Sequence, residues 1–77
     1  MKVRIHSDVK TDAISANLLA LSQVLAEAAA RSREAWELTD REEFDAAIGA
    51  VLGLDEILDS AKALYGAALT LHQTAST

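Results

Sequence analysis

Two histidines, His6 and His72, one tyrosine, Tyr65, and a run of carboxylates between Asp40 and Asp59 are the residues of this chain with chemistry to offer. A histidine beside paired carboxylates would suit proton transfer, and a tighter cluster would hold a metal ion. The spacing provides neither. His6 and His72 stand near opposite ends of the 77 residues, there is no cysteine, and no carboxylate pair converges with a histidine. There is also no glycine-rich phosphate loop and no nucleophile motif. The expectation is a chain without catalytic, cofactor-binding or metal-binding residues, and so not an enzyme.

The carboxylates have a structural reading instead. Thr39-Asp40-Arg41-Glu42 has capping-box spacing, in which the threonine and the glutamate three residues on satisfy each other's amides at a helix start. Asp40 with Glu43 repeats the geometry one residue later, and acids in a first turn suit the positive end of the helix dipole. A second helix is therefore expected from about residue 40. The short connection before it makes the two helices antiparallel neighbours.

The helix ahead of that turn is expected over residues 12–38. Thr11 and Asp12 are N-cap types, and no proline or glycine interrupts the stretch. Ile14, Leu18, Leu21, Leu25, Ala28, Ser32 and Ala35 alternate spacings of four and three, a heptad-like seam that tapers from large to small. Glu27–Arg31 and Arg33–Glu37 have the i,i+4 spacing of helical ion pairs. Trp36, near the turn, reads as a cap over the bundle end or as an interaction anchor.

The second helix, expected over residues 40–72 with 73–77 frayed, carries an apolar arc of about 180° from Phe44 to Leu71. One neighbour needs a stripe of only about 100°. A dimer follows as the expectation: an all-α chain whose antiparallel two-helix hairpin pairs into a four-helix bundle. Its interface would use Val51, Leu54, Leu58, Ala61 and Tyr65, with Gly49 and Gly53 letting backbones approach closely. Ile48 and Leu52 point away from that arc and sit among Asp55 and Asp59. With these two acids and Trp36 they are the expected surface for a protein partner; alternatively, the N-terminal arm covers Ile48 and Leu52.

That arm is residues 1–11. Val3, Ile5 and Val9 alternate with Lys2, Arg4, His6, Asp8 and Lys10, a period of two that suggests an extended segment or short strand. It carries a net charge of +2, whereas residues 40–59 carry −6 and the whole chain −5. The acidic balance disfavours nucleic acid as a partner. Neither a signal peptide nor a run of about 18 uncharged apolar residues is expected, so the reading is cytoplasmic and free of the membrane. Absence of cysteine is in keeping with that compartment.

Val51-Leu52-Gly53-Leu54, Ile57-Leu58 and Ala68-Leu69 resemble the closing helix of a family of small, uncharacterised pseudomonad proteins, over roughly a quarter of the chain. No activity comes with that likeness. In plan and size the chain also resembles phage-encoded helical-hairpin dimers that inhibit host regulators or motor ATPases. The arm with Lys2, Arg4 and His6 ahead of two helices is similar to ribbon-helix-helix repressors and antitoxins, whose paired strands read the major groove. The first helix is about twice as long as that family uses, and the turn is acidic. The expected function is a non-enzymatic protein–protein interaction module, an inhibitor or adaptor. A DNA-binding antitoxin and a secretion-type helical chaperone are the alternatives.

Overall fold

The computed structural model describes the backbone of residues 5–76 and the side chains of Val9 and residues 11–74. The described residues form three helices: α1 (Ile5–Asp40), α2 (Phe44–Val51) and α3 (Leu54–Ser76). No strand occurs among the described residues. The all-α reading stands, and α1 packs against both α2 and α3. At 1.5 Å per residue a 36-residue helix is about 54 Å long, near the molecule's long axis of 59 Å. The chain therefore folds back once, into an antiparallel hairpin.

Helical structure begins well before the position read from Thr11 and Asp12. The arm expected over residues 1–11 is helix from Ile5 onward, and residues 1–4, including Val3, lie outside the described residues. The physical reason is pairing. A strand must find a partner for its backbone groups, and the described chain offers none, whereas a helix satisfies them within itself. At its other end α1 runs through Thr39 and Asp40.

The turn replaces the expected capping box with a different device. The amide of Glu42 donates to the Thr39 carbonyl at 2.9 Å, and the amide of Glu43 donates to the Leu38 carbonyl at 2.9 Å. Glu42 holds a positive φ of 61°. This is the paired 5→2 and 6→1 bonding of a Schellman motif, with glutamate where glycine usually stands. Thr39 is inside α1, and its hydroxyl donates to the Trp36 carbonyl at 2.7 Å. Glu43 is the N-cap of α2 and makes no side-chain capping bond.

The expected second helix is two helices. Leu52 has φ −64° and ψ 134°, and Gly53 has φ 85°, the signature of the two central residues of a type II turn. Only glycine takes that second position without strain. The Gly53 carbonyl then accepts from the amides of Glu56 and Ile57, and α3 starts there. It continues through Ser76, past the end expected near residue 72.

Between the helices the packing is thin. Among the described residues the buried ones are four alanines, Ala28, Ala47, Ala61 and Ala68, each 4–7% exposed. Leu21, Val24, Ile57, Leu64 and Leu71 are half-buried along the same seam. The radius of gyration, 17.8 Å, exceeds the roughly 11.5 Å of a compact 77-residue domain. The accessible surface, 5927 Å², exceeds the roughly 4,500 Å² of a compact folded chain of this mass.

Candidate interaction surface

The four buried alanines fix the phase of each helix, and the phase decides what faces outward. Three residues before each of them stands a large exposed apolar residue: Leu25 before Ala28, Phe44 before Ala47, Leu58 before Ala61, Tyr65 before Ala68. A step of −3 turns about 60° round a helix. Ile48 and Leu69, one residue after a buried alanine, lie about 100° round in the same sense, and so, at about 80°, do Leu18 and Trp36 on α1. Because α1 is antiparallel to α2 and α3, equal turns in one sense bring all three helices to the same face of the hairpin. A groove of about 280 Å³ confirms it, since Leu18 of α1 lines it together with Tyr65 and Leu69 of α3.

The other face is different in kind. The residues directly before the buried alanines, about 100° round in the opposite sense, are Glu27, Ala46, Ser60 and Ala67. Glu27 pairs there with Arg31 at 3.1 Å, as its spacing predicted. The expected Arg33–Glu37 pair does not form. One side of the hairpin thus displays most of the large exposed apolar residues, and the other, Val9 apart, mainly small and polar ones. That asymmetry makes the first side the candidate surface.

The residues expected to join two copies fall in several places. Leu58 and Tyr65 are on the apolar face, 47% and 57% exposed. Val51 and Leu54 are half-buried near the break, and Ala61 is sealed between α1 and α3. Gly49 points outward, about 200° from Ala47, and a Cβ built on it meets nothing within 4 Å. Gly53 is equally open, and its place in the turn accounts for its being glycine.

The residues expected to meet a protein partner, Trp36, Ile48, Leu52, Asp55 and Asp59, are all exposed. They do not form one separate patch. A continuous helix would set Ile48 about 80° from Leu58, but the break at Leu52 and Gly53 resets the phase and brings it to about 40°. Ile48 and Trp36 therefore join the broad apolar face. Leu52 sits on the turn itself, with Asp55 and Asp59 on the outer rim of α3.

No three histidine or carboxylate side chains among the described residues stand close enough to hold a metal ion. The groove is lined by Ile14, Leu18, Tyr65, Ala68, Leu69 and His72, an apolar set with one imidazole at its rim. Its chemistry is to exclude water from an apolar group of side-chain size.

One property of α1 bears on the membrane reading. Thr11–Asp40 contains an 18-residue window of mean hydropathy 1.4, of which 6% is buried, so by length and composition this helix is apolar enough to cross a membrane. Asn17 within it bonds its amide to the Ala13 carbonyl at 3.0 Å, which lowers the cost of carrying that side chain in apolar surroundings.

No family model matches the chain, and no curated protein or solved structure matches it.

Proposed function

We propose that this chain is a non-enzymatic protein–protein interaction module that works as a homodimer, two hairpins closing face to face into a four-helix bundle. The observation that supports this reading is the mismatch between what one hairpin buries and what it displays. Four alanines form the core, while leucines, isoleucine, phenylalanine, tyrosine and tryptophan line one face. Each large side chain contributes about 1.5–3 kcal/mol when removed from water, and alanine far less. A second apolar layer supplies that burial. The face measures up to 59 by 24 Å, ample for the roughly 800 Å² per partner of a standard interface.

With that face closed, the surface left for another protein is the break: Leu52 exposed on the turn, with Asp55 and Asp59 beside it on α3. Such a site suits a partner that offers an apolar side chain among basic ones, with charge guiding the approach. A ribbon-helix-helix reading loses support, because residues 5–10 are helix rather than ribbon. The test is sedimentation of the purified chain, with copurification from its source organism. We expect a dimer at micromolar concentration, unchanged by Leu52→Ser with Asp59→Asn, and loss of the copurifying protein in that variant. A stable, fully helical monomer would end the reading.

A second reading has one observation in its favour, the apolar window in α1. Were α1 to enter a membrane, the chain would float with neutral lipid vesicles and Trp36 would be shielded by lipid without self-association. The same sedimentation experiment, repeated with vesicles, separates the two.

A further inference from the structure

We infer that the two hairpins pair head to tail, each inserting Trp36 into the groove of the other copy between Leu18, Tyr65 and Leu69. This rests on the dimer proposed above and specifies its arrangement. Trp36 is the most exposed of the large apolar residues among those described, at 71%, and lies on the same face as the groove. The two are at opposite ends of that face. Trp36 and Leu18 are 18 residues apart on α1, about 27 Å along the axis, so no tryptophan can reach the groove of its own chain. A two-fold axis through the middle of the face, near Leu25 and Leu58, carries each tryptophan onto the other copy's groove. At about 280 Å³ the groove accommodates one large side chain and is smaller than a typical small-molecule site.

Charge selects the same arrangement. Around the turn, Glu37, Asp40, Glu42, Glu43 and Asp45 against Arg41 give residues 37–45 a net charge of −4. Head-to-head pairing would bring two such ends together. Head-to-tail pairing keeps them apart and sets each against the start of α1, where Lys10 and Asp8 balance over residues 5–11.

The chain has one tryptophan and one tyrosine, which makes the arrangement directly readable. Within one chain Trp36 and Tyr65 are about as far apart as Trp36 and Leu18. In the head-to-tail dimer Trp36 of one copy lies against the groove that Tyr65 lines in the other. Tyrosine-to-tryptophan energy transfer, which falls steeply with distance, is expected to rise with concentration in step with the dimer fraction from sedimentation. Acrylamide quenching of Trp36 should fall over the same range. Leu69→Ser should weaken the dimer at least about tenfold, while Ala67→Ser on the other face leaves it unchanged. A dimer whose tryptophan stays quenchable and receives no transfer overturns this inference and leaves the dimer standing. A monomer at every concentration overturns both.

Discussion

The amide of Glu43 donates to the carbonyl of Leu38 across the reversal between α1 and α2, and Glu42 between them is held at a φ of 61° to make that bond possible. A left-handed conformation costs a side-chain-bearing residue about 1–2 kcal/mol, which glycine avoids. Glycine loses part of that advantage through the greater freedom of its unfolded chain. Glu42→Gly is therefore expected to stabilise the protein by about 0.5–1 kcal/mol net. Thermal unfolding followed by circular dichroism checks it, and a lower melting temperature would mean that the Glu42 side chain has a role this geometry does not show.

How far the fold could be read from the residues depended on whether the signal was local. The Glu27–Arg31 pair, the uninterrupted seam through Leu21 and Ala28, and the acidic turn all declare themselves within a few positions. Thr39 and Glu42 misled because their capping-box spacing is also the spacing of a helix end, where Glu42 takes the left-handed position. Gly53 was visible as a costly glycine. Its meaning needed the backbone, since a helix-edge glycine and a type II turn glycine look alike in sequence. Residues 5–10 misled in another way: alternation is a strand signal only where a partner strand exists. The apolar face was harder still. Its membership depends on the phase set by Ala47 and Ala61 on either side of the break, and no single run of residues shows that.

The two glycines of the former edge are expected to respond oppositely. Gly53 sits at φ 85°, where alanine is strained, so Gly53→Ala should destabilise by at least about 1 kcal/mol. Gly49 is helical, outward and open, so Gly49→Ala should stabilise by up to about 1 kcal/mol. Chemical denaturation of both variants decides it. A destabilising Gly49→Ala would show another backbone packed against that side.

Close approach of α1 and α3 relies on alanine, and the seam should reject anything larger. Ala61 is 6% exposed between the two helices, so Ala61→Leu forces them apart, at a cost of about 1–3 kcal/mol. Ala63→Leu, exposed on α3, should be close to neutral. If Ala61→Leu raised the denaturation midpoint, the hairpin would be looser than its buried alanines imply.

Folding and self-association are expected to be a single equilibrium. A lone hairpin of this length buries too little apolar surface to offset the ordering of its backbone, and the four sealed residues among those described are all alanine. Whatever binds the folded state alone stabilises it by mass action, and under the dimer proposed above that is a second copy of the chain. The melting temperature should therefore rise with protein concentration, and helix content should fall on dilution. Leu25→Ser combined with Leu58→Ser removes two large exposed side chains from the middle of the apolar face and touches none of the buried alanines. With about 1.5–3 kcal/mol at stake for each leucine, the double variant should need at least about a hundredfold more protein to reach the same melting temperature. Circular dichroism melts across a wide dilution series measure this. A melting temperature independent of concentration, equal in wild type and double variant, would show that one hairpin folds alone and that its apolar face serves something other than a second copy.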